Sequence, residues 1–235
     1  MGAGCRASRA AAKGGVLLRL LVACASPAGA PEHAWLDERV VLLHGLGRSE
    51  HSMTPLAEYL AEQGYRVTNV GYASTRHSIR ELVERLHEDL RGCCLDRDRE
   101  LHFVTHSLGG ILVRAYVARH PPQNLGRVVM LSPPNKGSEL ADAVRDSWLA
   151  ELHAVPVVEE LGTDPSSVPN RLGPASFELG IITGERSWHP LGALLIEGRN
   201  DGVVSVESAR LEGARAFLVV PSDHTHIMRD PQVAV

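Results

Sequence analysis

Aromatic side chains are scarce in this sequence: Phe, Trp and Tyr together make up 4% of it. A stacking platform for sugars or nucleobases is therefore excluded as its main binding device. Positive charge is not concentrated anywhere, and the formal net charge is −4, which speaks against nucleic acid as a partner. Only four cysteines occur: Cys5, Cys24, Cys93 and Cys94. Their spacing fits no zinc pattern, and adjacent cysteines rarely bridge each other, so neither a disulfide framework nor a metal site is expected. No apolar run reaches the roughly 20 residues that a helix needs to span a bilayer. There is no internal repeat and no sign of a second domain, and 235 residues suit one α/β domain with a full core.

The chain divides into residues 1–30 and 31–235. The first part carries Arg6, Arg9, Lys13 and Arg19, no acidic residue and an apolar run from Val16 to Ala25 broken by Arg19. A positive start, a short apolar run and the ending Ala28-Gly29-Ala30 resemble a secretory signal, and Leu21-Val22-Ala23-Cys24 a bacterial lipoprotein box. Arg19 argues against both, so a plain leader remains open, and with it a cytoplasmic or an exported, lipoprotein-like location.

From Pro31 onward, apolar runs alternate with helical patterns. Arg39 to Leu43, Tyr65 to Tyr72, Leu101 to Val104 and Arg127 to Leu131 read as strands. Met53 to Gln63, a long amphipathic stretch capped by Ser78 and running to Arg91, and Gly109 to His120 read as the helices between them. This alternation, without hairpin signals, predicts an α/β fold with a doubly wound, mostly parallel sheet. Ser132 to Ser176 is rich in proline and holds a helical run from Ser138 to Leu152, which makes it a small cap-like excursion over the sheet. Phe177 to Thr183 and Ala216 to Val220 complete the strands.

Chemistry concentrates where these elements meet. Thr105-His106-Ser107-Leu108-Gly109-Gly110 joins a strand to a helix in a sharp turn. Such a turn pushes the Ser107 side chain out of the chain's path and leaves the Leu108 N–H at a helix N-terminus. This is a nucleophile elbow, G-x-S-x-G, with Thr105 in place of the first glycine. A serine hydroxyl needs a base, and the base an orienting carboxylate. In sheets of this kind they follow in the order Ser, acid, His. Asp201, in Asn200-Asp201-Gly202, fits the acid, although that tripeptide is also ordinary turn chemistry; Asp223 and Glu185 are weaker rivals. His224 or His226 fits the base, His224 lying nearer the end of the last strand. His44-Gly45-Leu46-Gly47 follows the first strand and offers the Leu46 N–H as a second oxyanion donor beside that of Leu108. His106 is expected to pack beneath the turn. His33, His51, His77, His87, His102, His120, His153 and His189 show no ligand spacing. Trp148, Leu149 and Trp188 either line an acyl pocket or close the core.

Together the elbow, the His44–Gly47 loop, Pro134-Asn135-Lys136-Gly137-Ser138, Asn200-Asp201-Gly202-Val203-Val204 and His224-Thr225-His226-Ile227-Met228 resemble the α/β-hydrolase superfamily. More narrowly they resemble its small bacterial lipase-like serine esterases, from about Arg39 to the C-terminus. Aligning His224-Thr225 with that family's His-Thr supports His224 as base. The resemblance implies a cofactor-independent serine hydrolase with catalytic Ser107, Asp201 and His224. It would cleave carboxylic esters, lipids included, through an acyl-enzyme. Acyl transfer by the same residues is the alternative enzyme, and an inactive hydrolase fold used for binding the alternative of another class. The chain stops at Val235, about where that family's final helix would be growing, which leaves a truncated sequence or a very short closing helix open.

Overall fold

The structure, a computed structural model, describes residues 20, 38–95, 98–145, 155–187, 192 and 195–234. Six strands carry it: β1 (Arg39–Leu43), β2 (Arg66–Val70), β3 (Leu101–His106), β4 (Leu125–Leu131), β5 (Glu178–Gly184) and β6 (Ala216–Val220). They form one sheet in the order β2-β1-β3-β4-β5-β6, and every neighbouring pair is parallel. Parallel neighbours need crossovers, and the chain supplies helices for them: α1 (Thr54–Glu62), α2 (Ile79–Arg91) and α3 (Leu108–Arg119).

The apolar periodicity of α2 buries Ile79, Leu82, Val83, Leu86 and Leu90 along one stripe. Each contributes on the order of 2 kcal/mol before ordering costs are counted. Ser78 starts this helix with a capping box: its side chain accepts from the Glu81 N–H, and the Glu81 carboxylate accepts from the Ser78 N–H. Helix α3 is buried almost all round, from Leu108 to Val113 and again at Arg114 and Tyr116, because it lies under α2 and the excursion. Val41, Phe103, Val128 and Ile181 face α2 and α3 on one side of the sheet. Val40, Leu42, Val104, Val129 and Ile182 face Met53, Leu56 and Leu60, with Ile227 and Met228, on the other.

The excursion after β4 contains α4 (Glu139–Arg145), α5 (Pro156–Glu160) and α6 (Val168–Arg171). The expected helix from Ser138 to Leu152 is thus seen in its first half; its second half, with Trp148 and Leu149, lies outside the described residues, as does Trp188. So does the leader apart from Leu20. Short helices α7 (Val206–Ala209) and α8 (Pro231–Ala234) flank β6. No described helix is long and apolar enough to cross a membrane.

One expectation is overturned. Cys93 and Cys94, read as unbridged neighbours, form a disulfide. The reason is local: both amide N–H groups donate to the Leu90 carbonyl, at 3.2 and 2.9 Å. Closing the end of α2 that tightly brings the two side chains to the same side of the turn.

Candidate active site

The strand order reverses direction between β1 and β3: the chain leaves β1 toward β2 and returns to the far side of β1 as β3. Loops at the carboxyl ends of these two strands diverge there and leave a crevice. Leu43 pairs with Thr105, so the His44–Gly47 loop and the Ser107 elbow emerge side by side.

Ser107 has φ 52° and ψ −120° and is followed at once by α3. Its own N–H continues the ladder to Leu131 O at 2.9 Å, and its carbonyl accepts from Gly110 N–H at 2.9 Å. The first N–H groups of a helix have no intrahelical acceptor, which leaves that of Leu108 available. Gly109 is required by close approach: a Cβ there would lie 2.5 Å from Leu43 O. Thr105 is fully buried, and its hydroxyl has no hydrogen-bond partner.

The His44–Gly47 loop is held from behind by the segment following β2. Tyr72 N–H donates to His44 Nε2 at 3.2 Å, the Tyr72 hydroxyl donates to His44 O, and the two rings stack with centroids 4.0 Å apart. Since Nε2 accepts, Nδ1 carries the proton and donates to Gly45 O at 2.9 Å. Burial, the largest influence on it, pulls the His44 pKa below the ordinary value. Gly47, at φ 65°, donates its N–H to Ser74 Oγ at 3.0 Å.

Asp201 and His224, far apart in the chain, meet: Oδ2 and Nδ1 are 2.8 Å apart, and His224 N–H donates to Asp201 O at 3.0 Å. Both residues are buried. The other carboxylate oxygen, Oδ1, accepts from Val203 N–H at 3.0 Å and Val204 N–H at 2.8 Å. Burial works against ionisation of Asp201. The His224 ring, the Ser132 hydroxyl and the Val204 N–H outweigh it and hold the carboxyl below its ordinary value. With Nδ1 engaged by the carboxylate, Nε2 of His224 is the nitrogen left to exchange a proton.

His106 ties this pair to the elbow. Its ring lies 4.8 Å from the His224 ring, and Nε2 is 2.9 Å from His224 O, a bond that requires Nε2 to be the donor. Its Nδ1 is buried without a partner, and burial, then the neighbouring His224, puts its pKa well below the ordinary value. A neutral ring packed under the turn is what these facts describe. His226 is exposed and instead sits 2.8 Å from Asp223, whose Oδ1 also accepts from the Thr225 and His226 N–H groups. Glu185 pairs with Arg199. Arg48, at the end of the His44–Gly47 loop, donates to Thr225 Oγ1 at 3.0 Å, bridging the two loops. Ser132, Tyr72 and Ser74 were not singled out by sequence reasoning. Only for Ser132 was a signal present, since it ends a strand as Ser107 does.

One group among the described residues comes together with metal-ligand spacing: Glu38, Glu100 and His102. It lies at the amino ends of β1 and β3, away from the crevice. His102 Nδ1 accepts from Arg127 N–H at 2.8 Å, so Nε2 carries the proton and donates to Glu38 at 2.9 Å. Its donors are already spent, and the group reads as a buried hydrogen-bonded anchor.

The sequence model of the palmitoyl protein thioesterase family matches residues 39–167, more than half of the chain. The lysosomal thioesterase PPT2 of Bos taurus is 29% identical over 210 residues, which cover 76% of this chain and 68% of that protein. The Homo sapiens counterpart is 28% identical over 217 residues, covering 79% and 69%. Among solved structures, the mature form of the Bacillus licheniformis lipase BlEst2 superposes with a TM-score of 0.66 at 22% identity, covering 87% of this chain and 91% of that one. Its propeptide form gives 0.68 at 23% identity and 85% coverage, and this chain spans about half of it, 48%. These structural likenesses speak for the fold. With strand order, elbow and profile in agreement, the chain belongs to the palmitoyl protein thioesterase family of the α/β-hydrolases and is a hydrolase of ester or thioester bonds.

Proposed function

We propose that the chain cleaves the thioester or ester of a fatty acyl group through an acyl-enzyme on Ser107. The observation that carries this reading is the buried Asp201–His224 pair, 2.8 Å apart, whose histidine is tied through its carbonyl to the residue preceding Ser107. His224 Nε2 takes the Ser107 hydroxyl proton as Oγ attacks the acyl carbonyl carbon. Asp201 keeps the imidazole in the tautomer with the proton on Nδ1 and stabilises the imidazolium that forms. The N–H groups of Leu46 and Leu108 receive the oxyanion, each worth about 3 kcal/mol of barrier. Collapse of the tetrahedral intermediate breaks the C–S or C–O bond, and the imidazolium proton goes to the departing thiolate or alkoxide. Water then attacks the acyl-enzyme with His224 again as base, releasing the acid and free Ser107.

Thioesters enter the reading through the family and through the relatives, which are named thioesterases. The elbow and the acid–base pair serve either bond. A fluorophosphonate probe and a panel of acyl-coenzyme A thioesters and p-nitrophenyl esters of graded chain length test it. Labelling at Ser107, with turnover at least about 10⁴-fold lower in Ser107→Ala, is the expected result. Labelling elsewhere, or turnover that survives Ser107→Ala, overturns it.

A further inference from the structure

Ser107 is not the only strained serine at this sheet edge. Among the described residues, two that are not glycine have positive φ: Ser107 at 52° and Ser132 at 46°. They follow adjacent strands at matching positions, because His106 and Leu131 are register partners. Each extends the ladder in the same way, Ser107 N–H to Leu131 O at 2.9 Å and Ser132 N–H to Ile182 O at 2.8 Å. Ser132 thus repeats, one strand over, the turn that presents the nucleophile. Yet it is fully buried and so unsuited to meet substrate.

Its hydroxyl has two partners. Oγ accepts from Gly184 N–H at 3.4 Å, and its proton goes to the Asp201 carboxylate. The backbone conformation favours glycine, which adopts positive φ without cost, whereas serine is strained there. Glycine would also leave the carboxylate one donor short. The charged and titratable groups facing Asp201 are the His224 ring and, behind it, that of His106. The main-chain donors of Val203 and Val204 both go to Oδ1 and leave the His-facing oxygen to be oriented from elsewhere.

We propose that Ser132 is a positioning residue for the acid: from the end of β4 its hydroxyl fixes the Asp201 carboxylate in the orientation that pairs with His224. This rests on the reading of Ser107, Asp201 and His224 given above. The test compares Ser132→Gly, Ser132→Ala, Ser107→Ala and Asp201→Ala in the full chain, on the thioester or p-nitrophenyl ester that the wild type turns over. Glycine relieves the strained φ, so Ser132→Gly folds and melts no lower than Ser132→Ala. Both Ser132 variants are expected to lose roughly tenfold in kcat with KM little changed, the worth of one hydrogen bond to a charged group. The acid limb of their kcat/KM profile moves to higher pH, because a carboxylate with one donor fewer takes up a proton sooner. If Ser132→Gly keeps wild-type kcat and an unmoved acid limb while Ser107→Ala and Asp201→Ala are inactive, Ser132 is only a turn residue. The site reading then survives and this proposal does not. If Ser107→Ala or Asp201→Ala remains active, the site reading fails and takes the proposal with it.

Discussion

A Cβ added to Gly45 would lie 2.8 Å from His106 Nδ1 and 3.1 Å from Ser107 Cβ. Neither neighbour can yield easily, since the His106 ring is buried and bonded to His224 O and Ser107 sits in a strained turn. Gly45→Ala therefore displaces the loop that carries the Leu46 N–H while leaving the sheet intact. The expected result is an unchanged circular dichroism spectrum with kcat lowered about 10²-fold, the usual cost of one oxyanion donor. A wild-type kcat would remove Leu46 from that role. Residues of this kind differ in how visible they are from the chain alone. Asp201 and His224 were legible because their order after Ser107 and their place after late strands carry the signal. Tyr72, Ser74 and Ser132 were not, because what singles them out is which loop stands opposite, and no local pattern encodes a partner some thirty to seventy positions away.

Helix α3 does more than follow the nucleophile. From its buried face Arg114 donates to Asn135 O and Asn135 Oδ1, both at 3.1 Å, to Pro169 O at 2.9 Å and to Gly173 O at 2.8 Å. The excursion is thereby pinned at its start and its end to the same helix that carries the elbow. No carboxylate is among these acceptors, and burial brings the guanidinium pKa down to about 10, so the cation is held by carbonyl dipoles alone. Arg114→Ala strands those buried acceptors and is expected to cost about 2–4 kcal/mol. Arg114→Lys cannot span all four and should recover only part of that. Chemical denaturation checks both, and an unchanged midpoint for Arg114→Ala would show that the excursion is held otherwise. The strands and flanking helices were readable to within a residue or two because their apolar periodicity is strong. The excursion was readable only as an interruption, because its short helices are ordered by Arg114, a contact made from another element. The Cys93–Cys94 bridge was misread for a related reason: the turn that closes α2 decides it, and spacing alone argues the opposite.

At the scale of the whole molecule, the strand reversal that opens the crevice also places two imidazoles inside the protein beside it. His44 and His106 are buried, and burial lowers the pKa of each, that of His106 well below the ordinary 6.5. The sign of the consequence follows from proton counting. Below about pH 6.5 the unfolded chain protonates both rings while the folded chain leaves them neutral, so the unfolded state binds more protons and stability falls as pH falls. Each fully neutral ring contributes up to about 1.4 kcal/mol per pH unit in that window. Asp201 acts elsewhere: its carboxyl is depressed in the folded state, so its contribution is present above its unfolded value near 3.8 and is lost only as pH drops through the lower folded value. Loss of stability between pH 6.5 and 5 is therefore assigned to the buried histidines and not to the carboxylate. His106→Gln keeps a donor for His224 O but cannot titrate. Thermal melts of this variant and of the wild type across pH 5 to 7.5 should converge toward the acid end, the variant's curve being the flatter. Exposed groups titrate alike in both proteins and cancel in the difference. Parallel curves would mean that the His106 ring is protonated in the folded state, and the neutral ring beneath the elbow would have to be abandoned.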